Sequence, residues 1–262
     1  MRIPLLDRSP AVAVVRLTGM IAAGPRGLSD AGLAPVLERA FRRGRPKAVA
    51  IVVNSPGGSA VQSALIAARI RRLSEERQVP VLAFVEDLAA SGGYWLATAA
   101  DEIWVDASSL VGSIGVIYAA FGFHGLLERH GVERRVHTAG RSKSFLDPFS
   151  PEKKTDVARL KALQEPIHAA FIAQVRTRRA GRLAEGEELF GGEIWTGARA
   201  VELGLADGVG HLVPEMQRRY GEKVRFMEYG RRRPLLQRLG ASLTDEVAGA
   251  LEERALWARF GF

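Results

Sequence analysis

Runs of apolar and β-branched residues alternate with stretches of helical periodicity along most of the chain, and this alternation most narrows the fold. Residues 12–17 read as a strand and 30–43 as an amphipathic helix. Residues 48–53 read as a buried strand, and 60–73 as a helix opening at Ser59 with apolar positions at 61, 64, 65, 68 and 73. A third strand follows over 79–85. Strand, helix, strand in this order calls for βα units and a largely parallel sheet. Further on, residues 151–179 predict a long helix, capped by Ser150 with Pro151 at its first position. Its apolar stripe runs through Val157, Leu160, Leu163, Ile167, Phe171 and Val175, and Pro166 should kink it. A short helix over 196–204 ends at glycine. At 262 residues and 47% hydrophobic content, the chain can bury a substantial α/β core, alone or with an appendage.

The third strand, in the run VPVLAFVEDLA, breaks into Ala90-Ser91-Gly92-Gly93-Tyr94. This reads as a strand-to-helix turn with a serine at its sharpest point. Such a turn exposes one hydroxyl, allows close approach of a ligand and leaves backbone N–H groups pointing outward. A nucleophile needs that arrangement; a helix N-cap followed by packing glycines produces the same pattern. Two other segments carry related signals. In IVVNSPGGSAVQSA, adjacent glycines precede a helix and can form a backbone nest for a negative oxygen. In HTAGRSKSFLDPFSPEKK, Lys143 occupies a loop between a predicted strand at 134–137 and the long helix.

Five motifs occur in order over residues 10–215: NSPGGS, ASGGYW, DASSLVGSIGV, TAGRSKSFLDPF and IWTGARAVELGLADGVG. Together they resemble the signal peptide peptidase A family, serine peptidases with a Ser/Lys dyad on the fold shared by Clp protease and crotonase. The resemblance implies an α/β core of βα units with one catalytic unit. It implies Ser91 as nucleophile, Lys143 as general base, and an oxyanion hole from the N–H groups of Gly58 and Gly92. It also places Gly112, Ser113, Ile114 and Gly115 along the substrate groove, where an extended edge would pair with a peptide backbone; an ordinary turn and strand reads equally well. Single-unit members of the family assemble as rings, so a homo-oligomeric ring is expected, with peptides bearing small or apolar side chains as substrates.

The chemistry is consistent with each role. A serine hydroxyl is a poor nucleophile until a base takes its proton. A lysine accepts a proton only when neutral, a form favoured by desolvation or a nearby cation. Phe145, Leu146, Pro148 and Phe149 could desolvate Lys143 and Arg141 could add the cation, although a solvated loop lysine has the same sequence. Fixed donors for the oxyanion are each worth on the order of 3 kcal/mol in the transition state.

Rival chemistries find little support. No pair among His124, His130, His137, His168 and His211 has HExxH spacing, and there is no cysteine and no GxSxG elbow. The glycine pairs match neither a Walker loop nor a dinucleotide fingerprint, so no metal or cofactor is implied. Glu86 and Asp87 would be needed as an oriented pair for an acyl-CoA enzyme of the crotonase type; strand-end charges are the plainer account. The formal charge of +8 favours anionic surfaces in general, or reflects an arginine-rich exterior. No interleaved aromatic–basic motif points to specific nucleic acid binding.

The first ten residues do not read as a signal peptide, and the longest uncharged tract, 107–123, is too short and polar for a spanning helix. A cytoplasmic or membrane-peripheral location is therefore expected. The peptidase domain is assigned to 1–215 and a partly helical or flexible C-terminal extension to 216–262. RRRPLLQRLG and the amphipathic pattern after it suggest peripheral membrane contact, packing on a neighbouring protomer, or disorder. The rival function is a catalytically weak, membrane-associated peptide-binding scaffold.

Overall fold

Eight strands form one sheet in a computed structural model that describes residues 9–24, 27–140, 143–230, Trp257, Ala258 and Phe260. β1 (Ala11–Thr18), β2 (Ala48–Ser55) and β3 (Val81–Ala90) lie side by side and parallel, as βα connections require. Between them run α1 (Asp30–Arg42) and α2 (Ala60–Arg77). Ser29 and Ser59 cap these helices, their hydroxyls accepting the N–H of Gly32 and Gln62. After β3 come α3 (Gly92–Ala97), β4 (Glu102–Val105) and β5 (Leu110–Gly112). The long β3 serves two partners on one side, β4 along Leu82–Val85 and β5 along Leu88–Ala90.

Sequence and structure part over β3, which continues to Ala90 instead of stopping at 85. Glu86 and Asp87 can lie within a strand because each has a partner on another strand of the sheet, Arg16 of β1 for Glu86 and Asn54 of β2 for Asp87. Arg16 pairs with Glu86 at 2.8 Å, and the Asn54 amide donates to Asp87 at 2.6 Å. They are strand charges and not an oriented catalytic pair.

The chain divides into two compact units. One comprises the residues up to Ile114 together with those from Ile172 onward; the other is Gly115–Phe171. The first unit also holds β6 (Ile194–Thr196), α6 (Gly197–Glu202), β7 (Gly208–Val209), α7 (Leu212–Tyr220) and β8 (Arg225–Tyr229). β8 adds to the sheet parallel to β1, and Met216 of α7 is fully buried among Val12, Val14, Ala50, Val52, Leu82 and Phe84. Each such side chain contributes about 1.5–3 kcal/mol through burial. α7 packs on the sheet and β8 belongs to it, and a boundary after 215 does not coincide with the division the structure makes. The remaining tail, 231–256, with its basic cluster, lies outside the described residues, as do residues 1–8.

The second unit contains α4 (His124–Arg129) and the start of α5 (Lys154–Arg178). The predicted strand at 134–137 is absent; these residues are irregular and exposed. α5 begins at Lys154, later than expected, because the Ser150 hydroxyl bonds the Asp147 carboxylate at 3.2 Å within a turn instead of capping the helix. The helix continues through Pro166. Its apolar stripe is only partly buried: Phe171 and Val175 are enclosed, whereas Leu163 and Ile167 are 52% and 40% exposed.

Candidate active site

The β3–α3 junction carries the unusual backbone. Ser91 sits there with φ +51° and ψ −121°, a region that costs a non-glycine residue on the order of 1–3 kcal/mol. The surrounding bonds hold it. Its N–H donates to the Gly112 carbonyl at 2.8 Å, and its own carbonyl accepts the Trp95 N–H at 3.0 Å. The Ser91 side chain makes no capping bond, so the hydroxyl is free for other work, and the residue is half-buried. Behind it α3 is wholly buried. Tyr94 anchors the helix by donating its hydroxyl to the Leu205 carbonyl at 2.7 Å, and burial pushes its phenol well above the usual range. Arg179, 2% exposed, holds the same loop through the Gly204 carbonyl (2.8 Å) and the Asp207 carboxylate (2.6 Å).

The SPGG turn lies directly against this junction. A Cβ on Gly57 would fall 2.8 Å from the Gly92 nitrogen and 2.9 Å from the Ser91 Cβ, so only glycine permits the approach. Gly58 follows at φ +136°. Ile21 pairs across this turn, donating to the Gly57 carbonyl and accepting from Ser59, both at 2.8 Å. Neither the Gly58 N–H nor the Gly92 N–H donates in the backbone bonds of the described residues. Two unclaimed donors thus flank a strained serine, an arrangement able to stabilise an oxyanion beside a nucleophile.

The other predicted residues divide between the two units. Gly112 joins the Ser91 turn through its carbonyl, and Ser113, at φ +51°, donates to the Glu193 carbonyl at 2.6 Å. Ile114 is buried. The expected open edge at this strand is not present: β5 is paired to β3 on one side and antiparallel to β6 on the other, because residues 194–196 return to fill it. Gly115 and Lys143 belong to the second unit. Lys143 is exposed, in a turn where its N–H donates to Gly140 at 3.2 Å. Two of its apolar neighbours make other contacts, Phe145 with the Arg159 guanidinium and Phe149 with that of Arg134. The shielding expected from these residues is therefore not supplied at the lysine itself. Arg141 and Ser142 lie outside the described residues. No group of three or more potential metal ligands occurs among the described residues.

Sequence reasoning missed three supports of the junction: Ser55, Tyr94 and the Arg179–Asp207 pair. Only Ser55 had a local signal, a serine two residues before a glycine amide, which is the pattern of a side-chain-closed turn.

Comparison with known proteins adds to this geometry. The model of Peptidase family S49 matches residues 74–220. A Brucella melitensis protein named Na(+)/H(+) antiporter NhaA is 49% identical over 270 residues, covering 95% of this chain and 37% of that protein. The chloroplastic serine protease SPPA of Arabidopsis thaliana is 33% identical over 210 residues, covering 77% of this chain and 31% of its own length. The chain thus spans about a third of either relative. The 1510-N membrane-bound stomatin-specific protease, solved with a substrate peptide, superposes with a TM-score of 0.53 at 16% identity, covering 93% of this chain and 98% of that one. At that identity the likeness shows the fold alone, the α/β fold of the Clp protease/crotonase type.

Proposed function

Because the chain belongs to peptidase family S49, we propose that it is a serine endopeptidase working through an acyl-enzyme on Ser91. The observation that carries this reading is the strained Ser91 turn set against Gly57–Gly58, with the Gly58 and Gly92 N–H groups unclaimed. Ser91 Oγ attacks the scissile carbonyl while Lys143 takes its proton; the two N–H groups receive the carbonyl oxygen as it becomes an anion. The protonated amine then passes its proton to the leaving amine. Water, deprotonated by the same lysine, attacks the ester and frees the serine. Extended peptides with small or apolar side chains are the substrate class.

A lysine that must be neutral needs shielding from water, and Lys143 is exposed in the single chain. In its unit Ile117, Phe121, Leu126 and Val132 are 66%, 82%, 51% and 54% exposed, apolar surface that a neighbouring protomer could cover. A homo-oligomeric ring supplies cover for both. The test of the catalytic assignment is intact-mass labelling with a fluorophosphonate. Wild type should gain one adduct, and Ser91→Ala and Lys143→Ala none, with folding retained; labelling of Ser91→Ala at the wild-type rate would remove the assignment.

A second reading is a membrane-associated peptide-binding scaffold; the antiporter name of two relatives bears on its membrane part alone. Among the described residues no helix is long and apolar enough to cross a membrane. Co-sedimentation with anionic liposomes, together with absent hydrolysis, would select this reading.

A further inference from the structure

We propose that Ser55 is the positioning residue of the oxyanion hole, an inference that rests on the Ser91 reading above. Ser55 ends β2 and is fully buried. Its hydroxyl donates to the Gly19 carbonyl at 2.7 Å and accepts the Gly57 N–H at 3.2 Å. One oxygen thus ties the end of β1 to the SPGG turn.

The consequence follows from peptide geometry. In a trans peptide unit the C=O and the following N–H point in opposite directions. The Gly57 carbonyl is held by the Ile21 N–H, so the Gly58 N–H is turned away from Ile21. That orientation is secure only if Gly57 is fixed at both ends. Ile21 fixes its carbonyl end and the Ser55 hydroxyl its amide end. Gly57 and Gly58, at φ +96° and +136°, have no side chains to resist rotation. Removing the hydroxyl would leave Gly57 held at its carbonyl by Ile21 but free at its amide, so the φ that aims the Gly57–Gly58 plane is less tightly set.

Ser55 also packs beside the residue that follows the second donor. A Cβ on Gly93 would fall 2.4 Å from the Ser55 carbonyl oxygen and 3.2 Å from its Cβ, so Ser55 packs against the residue following Gly92. The side chain therefore bears on the Gly58 N–H through Gly57, and the carbonyl on the seating of the helix that begins at Gly92. Ser55 touches no substrate atom in this account; it acts through Gly58 and Gly92.

The experiment compares wild type, Ser55→Ala and Ser91→Ala on a peptide substrate and on a peptide aldehyde, whose adduct with the serine places an oxyanion in the hole. For Ser55→Ala, kcat should fall about 10- to 100-fold, less than the loss of a whole donor. KM should stay within about twofold, and aldehyde affinity should weaken in step with kcat. Unchanged kcat and aldehyde affinity would overturn the role of Ser55, as would a fall in kcat equal to the fall in folded fraction. Amide exchange on wild type tests the bond without any variant: the Gly57 N–H should exchange slowly, and exchange at the rate of an open loop amide would overturn the proposal. A wild type no more active than Ser91→Ala would remove the peptidase reading and this role with it; a fully active Ser55→Ala removes the role alone.

Discussion

Replacing Gly93 by alanine should both loosen the fold and disable the junction. The new methyl would fall 2.4 Å from the Ser55 carbonyl oxygen, where ordinary contact begins at 3.4 Å, an overlap of about 1 Å. The obstacle is main chain in a strand paired on both sides, by β1 and by β3, so it cannot swing aside as a flexible side chain would. α3 must therefore move away from β2 by a similar distance. Overpacking of this kind costs about 1–3 kcal/mol. Alanine returns about 0.5–1 kcal/mol through its better helix propensity, leaving a net loss of up to about 2.5 kcal/mol. For a chain of this size that lowers Tm by up to about 10 °C. The kinetic effect should be larger, because Ser91 and Gly92 immediately precede Gly93 and a misplacement of about 1 Å can cost on the order of 100-fold in rate. Thermal melts and peptide hydrolysis on the same preparation read both effects. Gly125→Ala in α4 is the control, since nothing lies within 4 Å of its new methyl; it should be neutral or slightly more stable. Wild-type Tm and kcat in Gly93→Ala would refute the reasoning, because α3 could not then be seated on β2 as described.

Mixing inactive Ser91→Ala with inactive Lys143→Ala should restore part of the hydrolysis if the dyad is completed across protomers; a mixture that stays dead would place both residues of each pair in one chain. Arg179→Met should cost about 3 kcal/mol in urea unfolding, the low end for a broken buried ion pair, because Arg182 still reaches Asp207 at 3.2 Å; an unchanged midpoint would show the pair to be idle. Acid should destabilise the protein. Hydrogen bonds from Arg219 and Arg69 hold the Glu102 and Asp30 carboxyls below their usual values of 4.5 and 3.8. A folded-state value below the unfolded one gives stability that is complete above the unfolded value and is lost as pH falls through the folded one. Tm should hold from pH 7 to about 5 and then fall, and Arg219→Met should flatten that fall; an equal slope in the variant would show that its carboxylate partners contribute nothing.

Much of the first unit was legible because its signals are local. Residues 48–53 are apolar without interruption, Ser59 precedes a helical period, and a serine followed by two glycines after an apolar strand marks a sharp turn whatever surrounds it. The meeting of that turn with SPGG followed from the order of the motifs and the family they resemble. The strand expected at 134–137 did not form despite its valine-containing pattern, because a strand needs a partner and none pairs with it among the described residues. Residues 225–229, by contrast, carry only a weak local strand signal, yet lie beside β1 as the sheet's edge.

The same distinction governs the candidate site. Sequence by itself determined which residues can carry a positive φ, cap a helix or present a hydroxyl, since these depend on a few neighbouring side chains. Tertiary structure alone decided that β5 is an interior strand, closed by residues 194–196. It also decided that the Ser55 hydroxyl spans from Gly19 to Gly57, and that Lys143 stands exposed. Those outcomes depend on hydrogen bonds and packing between segments distant in the chain, and a local period of two or 3.6 residues carries no record of which segments will meet.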